Sequence, residues 1–234
     1  RKRWEAPGSS SWTYYDKLRG YDIGGYPMYT GWKYLSRSIN RDFNENGENP
    51  VEQELTYVYG NTDNCLPTKI ITTNSKGENL VQMIKYPNDF PGTDPYPDMV
   101  DRHIITPVVQ QVNYNDGNFM NRIQNNFQRW TNTTAIPYFK PAEIVAGQAN
   151  TTETAISYKE LDKNGNPVHI VKADGLSYVY LWDYNNNFPI AEVVNAVPRD
   201  VAFTSFETHN AGNWTLSYSN YNYSEAMTGS YSYS

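Results

Sequence analysis

The sequence predicts an all-β protein built from antiparallel hairpins, and three observations support this prediction. First, the 234 residues include 21 Tyr, 6 Trp and 8 Phe in a polar background whose mean hydropathy is −0.73, and aromatic residues favour the pleated surface of a sheet. Second, short runs alternate apolar and polar residues with a period of two. Third, Asp, Asn and Gly fill the gaps between these runs, as hairpin turns require.

Eight segments carry the alternation that is typical of half-buried strands. Few windows hold an apolar period of 3.6 residues, and 14 prolines and 15 glycines are scattered through the chain, which disfavours long helices. We therefore predict strands at residues 54–60, 66–73, 80–87, 106–114, 120–130, 154–161, 168–173 and 177–184.

Tight turns separate several of these strands. Residues 74–79, 113–119 and 163–166 supply Gly or Asn where a hairpin needs a positive φ. Consecutive strands are therefore predicted to pair as antiparallel hairpins. Because an isolated hairpin is only marginally stable in water, a series of hairpins must close, stack or extend a sheet.

One turn phrase occurs twice, as a degenerate repeat. Residues 42–51 and residues 162–168 both contain an Asp, an Asn two residues later, a Gly, and an Asn-Pro-Val that opens the next strand. A Tyr-x-Tyr pair follows each copy, although at a different distance. The predicted signature positions of these turns are Asp42 and Gly47 in the first copy and Asp162, Gly165, Asn166 and Pro167 in the second.

The first copy also resembles the opening of a calcium-binding loop. Asp42 and Asn44 precede Gly47 at the alternating spacing of an EF-hand. The twelfth position, however, is Gln53 where a bidentate Glu is needed, and Pro50 interrupts the loop. We therefore interpret the segment as a turn whose Asp and Asn side chains cap backbone amides, and we predict no metal site.

The sequence contains no recognisable catalytic constellation. Motifs of serine hydrolases, zinc proteases, dithiol sites and phosphate loops do not occur in it. The carboxylates Glu160, Asp174, Asp183 and Glu192 are expected in turns or at solvent-facing strand positions. The lone Cys65 is expected to be a small buried or turn residue, and it has no partner for an internal disulfide. We predict a protein that is not an enzyme and holds no cofactor.

Charge and aromatic content restrict the expected partners. The net charge is −6 and the charged fraction is 19%, so no strong basic field favours nucleic acid. No run approaches the roughly 18 apolar residues that a membrane helix needs. Tyr and Trp exposed on a sheet suit stacking on sugars or peptides, and Trp182 and Trp214 are the candidate ligand-binding residues.

Four segments of the chain resemble RHS-repeat (YD-repeat) proteins, and specifically the RHS-repeat surface proteins of the Bacteroidota. The most specific is YKELDKNGNPVHIVKADGLSYVYLWDYNNNFPIAEVVNA at residues 158–196, which resembles the signature of that family. Asp183 departs from the pattern, because the family more often has a small residue after Leu-Trp. The other segments, at residues 24–43, 66–90 and 98–111, are similar to the part ahead of the repeats, the central repeat and the stretch that follows.

The resemblance implies a β-hairpin ribbon of RHS/YD-repeat type that forms part of a curled sheet or shell. It implies a lead-in segment at residues 1–35, a repeat region at 36–198, and the start of an appended carbohydrate-binding-like β-sandwich at 199–234. The implied function is a non-catalytic structural scaffold of a secreted or surface-exposed, outer-membrane-associated protein, which serves as a shell or as a display and adhesion element. Flanking parts of its own longer chain are the expected partners.

Three alternative functions stay open. In the first, the chain is the wall of a polymorphic toxin shell with the effector downstream. In the second it is a glycan-binding module, and in the third it is a subunit or cargo of an outer-membrane export complex. Nucleic acid is not an expected partner in any of them. Because unpaired strand edges expose backbone groups, we also predict that the segment is stable only when the rest of its protein or a partner flanks it.

Overall fold

The computed structural model describes residues 31–48, 50–131, 137–149, 151–226 and 229–234. Most of the predicted lead-in segment at residues 1–35 therefore lies outside the described residues, whereas residues 36–234 form one compact unit. An antiparallel sheet of eleven strands dominates this unit, which confirms the all-β prediction. The strands are β1 Arg37–Asp42, β2 Val51–Val58, β3 Lys69–Thr73, β4 Asn79–Lys85, β5 Gln110–Asn115, β6 Asn118–Thr131, β7 Pro137–Gln148, β8 Thr151–Leu161, β9 Pro167–Lys172, β10 Ser177–Asp183 and β11 Phe188–Val194.

The spatial order of the strands is the same as their order along the chain. Each strand from β1 to β11 pairs antiparallel with its sequence neighbour, as hairpin connections permit. β1 and β11 are the two edge strands of this order. The longest connection, between β4 and β5, contains a short helix, α1 Tyr96–Asp101. No helix among the described residues is long and apolar enough to cross a membrane.

Each of the eight predicted strands overlaps a strand of the sheet. The largest shift is in β5, which begins at Gln110 and not at residue 106, because Pro107 has no amide hydrogen for the ladder. The predicted turns are confirmed by the backbone, since Gly77, Gly117 and Gly165 have φ values of 81°, 82° and 80°. The strands β1, β7 and β11 were not predicted.

Two small hydrophobic clusters lie on the sheet. The first packs α1 against the sheet through Tyr96, Met99, Val109 and Phe139. The second packs β10 against the C-terminal segment, which is residues 199–234, through Val179, Leu181 and Val201. Burying one such side chain contributes about 1.5–3 kcal/mol, so these clusters fix the positions of α1 and of the start of the C-terminal segment.

The C-terminal segment adds one further pairing. β12 Tyr221–Asn222 and β13 Ser232–Tyr233 form a separate two-stranded sheet. Before them, the backbone of residues 203–212 closes a loop in which Phe203 N donates a hydrogen bond to the Gly212 carbonyl oxygen at 2.8 Å. A β-sandwich that begins at residue 199 stays a prediction.

Candidate functional site

Three turns of the sheet share one hydrogen-bond arrangement. In each, the side-chain oxygen of an Asn or Asp accepts hydrogen bonds from the backbone amides two and four residues later, at 2.8–3.2 Å. A Gly with positive φ stands three residues after that Asn or Asp. The pairs are Asn44 with Gly47, Asn74 with Gly77, and Asp162 with Gly165. The turn phrase that recurs in the sequence therefore forms a turn whose backbone amides are capped by an Asn or Asp side chain.

The capping residue of the first copy is Asn44, which is two residues after the predicted signature residue Asp42. Asp42 lies at the end of β1, opposite Val51. The Asn44 side-chain oxygen accepts bonds from the backbone amides of Asn46 and Glu48. In both copies the spacing from the capping residue to Gly is three residues, and the alignment on Asp42 obscured this spacing.

The turn of the second copy also bonds to the turn that follows it. The side-chain nitrogen Nδ2 of Asn166 donates to the carbonyl oxygen of Asn186 at 2.7 Å. The side-chain nitrogen Nδ2 of Asn164 donates to the carbonyl oxygen of Asn185 at 3.2 Å. Both acceptors lie in the connection between β10 and β11, where Asn185 and Asn186 adopt positive φ. The second-copy turn therefore fixes one hairpin against the next.

The preceding hairpin contacts the same turn. The Tyr138 hydroxyl donates a hydrogen bond to the Asp162 carbonyl oxygen at 3.2 Å. Burial raises the pKa of Tyr138, and the negative charge of Asp162 raises it further. A Cβ atom at Gly165 would lie 3.2 Å from Cε2 of Tyr138 and 3.4 Å from Cε of Lys140. Three hairpins thus meet at this turn.

Gly165→Ala and Gly77→Ala form a matched pair of substitutions. Both residues occupy the same position of the same turn type with φ near 80°, so the backbone penalty is shared. Of the two, only Gly165 has atoms within 4 Å of the position that an added Cβ atom would take. We expect Gly165→Ala to lower the free energy of unfolding by about 1–2 kcal/mol more than Gly77→Ala, because it crowds Tyr138. Urea denaturation of both variants measures the difference, and equal effects would show that the turn does not press on Tyr138.

The first predicted ligand residue, Trp182, is part of the framework. Its indole N–H donates a hydrogen bond to the Pro167 carbonyl oxygen at 2.8 Å, and the ring is half-buried. The carbonyl oxygen of Trp182 accepts a hydrogen bond from the side-chain amide of Asn210 at 2.8 Å. These contacts join Trp182 to the signature residue Pro167 and to Asn210 of the C-terminal segment, and they give Trp182 an anchoring role.

The second predicted ligand residue, Trp214, is 55% exposed. It lines a groove of about 370 Å³ with Ala202, Phe203, Thr204, Phe206 and Leu216. Among the described lining residues, Thr204 carries the one side-chain hydroxyl, which already donates to the Asn210 carbonyl oxygen at 2.9 Å. The groove therefore offers an aromatic face but few free hydrogen-bonding groups. Trp182 is not among its lining residues, so the two tryptophans do not form one platform.

A buried carboxylate, Asp183, joins β10 to the C-terminal segment. We expected this residue in a turn or facing solvent, and that prediction was wrong, because Asp183 is only 4% exposed. The Thr208 hydroxyl lies 2.7 and 2.6 Å from its two carboxylate oxygens. The Tyr184 amide donates to it at 2.6 Å. The carboxylates that do face solvent, as expected, are Glu160, Asp174 and Glu192.

The tyrosines of the second Tyr-x-Tyr pair contact neighbouring strands. The Lys172 ammonium lies 3.7 Å from the ring centroid of Tyr178, and its hydrogen bond with the Tyr178 side chain raises the pKa of Lys172. Burial raises the pKa of Tyr180, and the Glu192 carboxylate adds to this effect. Lys172, Tyr178 and Glu192 belong to β9, β10 and β11, so these side chains form cross-strand pairs of the kind that stabilises sheets.

Several residues of the C-terminal segment cluster around one imidazole that sequence analysis did not single out. The ring centroid of His209 lies 4.9–6.3 Å from the centroids of four tyrosine rings, those of Tyr218, Tyr221, Tyr223 and Tyr231. The His209 Nε2 atom also hydrogen-bonds the Tyr223 hydroxyl at 3.0 Å. The abundance of Tyr after residue 217 was visible in the sequence, but nothing in it indicated His209 as the centre.

One Ser–His pair has the residue types of a nucleophile and a base. Nε2 of His169 hydrogen-bonds Oγ of Ser177 across β9 and β10. Activation of such a hydroxyl also requires a third group that orients the imidazole. Glu160 stands opposite His169 in the strand register, but its side chain is exposed and makes no hydrogen bond to His169 in the described part of the chain.

No known family model matches the chain, and a search of curated proteins finds no match. Among the described residues, no group of three or more His, Cys, Asp or Glu side chains is placed to hold a metal ion. Cys65, the lone cysteine, is exposed and has a φ of 54° directly after a turn. Its thiol donates a hydrogen bond to the Thr62 carbonyl oxygen at 3.2 Å.

Proposed function

We propose that this chain is a non-catalytic structural β-scaffold, a wall segment of a secreted or surface-exposed protein of RHS-repeat type. The single observation that carries the proposal is the strand order, in which eleven strands follow one another through the sheet in chain order. A sheet with this connectivity grows at its edges by simple addition of hairpins, as a repeated structural ribbon does.

The contacts between successive turns support the same role. The second-copy turn bonds to the β10–β11 turn through Asn164 and Asn166 and to β7 through Tyr138. The side chain of the signature residue Asn166 and the backbone carbonyl of the signature residue Asp162 are thus used in contacts between hairpins. This use of the repeat residues is that of a construction element.

A row of apolar side chains on one face of the sheet supports the proposal that a further layer of protein covers this face. The register places Ile71, Val81, Tyr114 and Phe119 directly opposite one another on β3, β4, β5 and β6. Phe119 is 40% exposed, and none of the four belongs to either buried cluster. Apolar sheet faces are normally covered by a second layer. Flanking parts of the same protein, or a partner of a surface complex, would supply that layer.

Hydrogen exchange of the two edge strands tests the scaffold proposal. If the wall continues on both sides, backbone amides of β1 and β11 in the full-length protein exchange as slowly as those of the internal strand β9, because neighbouring strands pair with them. In residues 1–234 expressed alone, β1 and β11 are expected to lose this protection. Equally fast exchange of β1 and β11 in the full-length protein would contradict the proposal. A soluble, cooperatively unfolding monomer of residues 1–234 would contradict the expected dependence on flanking structure.

A further inference from the structure

A polar cavity lies beside the helix α1, away from both candidate tryptophans. Its volume is about 570 Å³, within the range of roughly 300–1,000 Å³ that suits a small ligand. We call it the β6–β8 cavity. Its lining comes from the connection before α1 (Asp94, Pro95), from β6 (Asn126, Phe127, Gln128, Arg129), from β7 (Ala142, Glu143) and from β8 (Ser157, Tyr158, Lys159).

Strand irregularities build this cavity. The register shifts between Asn126 and Phe127 where β6 pairs with β7, and between Tyr158 and Glu160 where β8 pairs with β9. A third shift, where β7 pairs with β8, falls at Ile144, directly after the lining residue Glu143. Bulges redirect side chains and are over-represented next to functional sites. Their concentration in three adjacent strands opens the sheet surface at this place.

The charged groups of the cavity balance one another. The described lining contains two carboxylates, Asp94 and Glu143, and two cations, Arg129 and Lys159, so its formal charge is zero. Arg129 already pairs with Asp98 at 2.9 Å and with Asp94 at 3.5 Å. Because the guanidinium is committed to these carboxylates, it does not favour an anionic ligand, and the cavity suits an uncharged one.

The remaining polar groups are open to a ligand. In the described part of the chain, the side chains of Glu143, Gln128 and Tyr158 have no hydrogen-bond or ion-pair partner, although Glu143 and Tyr158 are half-buried. Lys159 uses one donor on the Ser157 hydroxyl at 2.9 Å, and Ser157 is itself only 8% exposed. An ammonium has three donors, so Lys159 keeps two of them for a ligand.

Planar polar groups and aromatic rings occur together in the lining. The carboxylate of Glu143 and the amide of Gln128 can each bond two neighbouring hydroxyls. The Oδ1 atom of Asn126 already accepts a hydrogen bond from Gln124 Nε2 at 2.9 Å, so Asn126 offers mainly its amide N–H donors. Phe127, which also packs against the α1 cluster, and Tyr158 are the aromatic residues of the lining, and aromatic residues offer apolar surface to the C–H face of a sugar ring. We propose that the β6–β8 cavity binds a short neutral oligosaccharide, with Glu143 as the main hydroxyl acceptor. This inference is independent of the scaffold role, and it places the glycan site away from Trp182 and Trp214.

Calorimetric titration of the full-length protein with cellotriose, maltotriose and N,N′,N″-triacetylchitotriose tests the proposal. We expect saturable binding of at least one trisaccharide. We expect Glu143→Gln to weaken it about tenfold or more, because a charged acceptor bonds a hydroxyl more strongly than an amide does. Gln128→Ala, at an exposed position of the lining, is expected to weaken it by a smaller factor. The matched control is Glu153→Gln, an exposed carboxylate of β8 outside the lining, which is expected to leave affinity unchanged.

Three outcomes would overturn the assignment. The first is the absence of saturable heat with all three sugars at about 10 mM, which is about tenfold above a millimolar Kd. The second is equal affinity of Glu143→Gln, Gln128→Ala and the unmodified protein. The third is loss of sugar binding in Trp214→Ala while the two cavity variants still bind. Hydrogen exchange of β1 and β11 does not depend on any of these outcomes, so failure of the sugar site is distinguishable from failure of the scaffold proposal.

Discussion

Replacing Gly212 with alanine is expected to open the loop of residues 203–212 and to release the start of the C-terminal segment from β10. A Cβ atom at this position would lie 1.5 Å from the carbonyl oxygen of Phe203 and 2.6 Å from its carbonyl carbon. Both are backbone atoms, so no side-chain rotation relieves the overlap. The φ of 53° at Gly212 adds a backbone penalty for any L residue. We expect a loss of at least about 3 kcal/mol in the stability of this loop.

Hydrogen exchange measures this loss at the affected residues. The amide of Phe203, which bonds to the Gly212 carbonyl oxygen at 2.8 Å, is expected to lose its protection in Gly212→Ala. The control is Gly77→Ala, which carries a positive φ of 81° and no neighbour within 4 Å, and therefore isolates the backbone penalty. Equal losses of stability in the two variants would contradict this prediction, because they would show that the overlap with the Phe203 backbone adds nothing to the positive-φ penalty.

The strands that the sequence predicted are those with a regular alternation. β7 was missed because its sequence has Pro at both 137 and 141, and because Ile144, Val145 and Ala146 are consecutive apolar residues. β7 also carries an extra residue, Ala142, where it pairs with β6, so no regular period of two was visible. β11 was missed because Pro189 interrupts it, and a proline within a strand pattern argues against a strand unless it lies at an edge.

The candidate site was harder to predict, because its contacts join residues that are distant in sequence. The alternation did contain a signal for Asp183, since Val179, Leu181 and Asp183 occupy one face of β10 and are 0%, 7% and 4% exposed. An Asp in such a row is expected to be buried with a partner. Its partner, Thr208, is 25 residues further along the chain, in a segment without strand periodicity, and no local pattern connects the two.

Replacing Asp183 with alanine is expected to be the second most damaging change. The carboxylate is 4% exposed and accepts hydrogen bonds from the Thr208 hydroxyl and the Tyr184 amide. Alanine leaves both donors without an acceptor in a buried place and also leaves a cavity. We expect a loss of about 2–4 kcal/mol in the free energy of unfolding. The control, Glu153→Ala on the exposed face of β8, is expected to stay within about 0.5 kcal/mol of the unmodified protein.

A double-mutant cycle with Thr208→Val separates the contact from the cavity. The Val substitution removes the donor hydroxyl and retains the branched shape of the side chain. Because the hydroxyl bonds the carboxylate directly, the double variant is expected to lose at least about 1 kcal/mol less than the sum of the two single variants. Additive effects would mean that Asp183 stabilises β10 by some other contact, and the Asp183–Thr208 hydrogen bond would then not be what holds the C-terminal segment to the sheet.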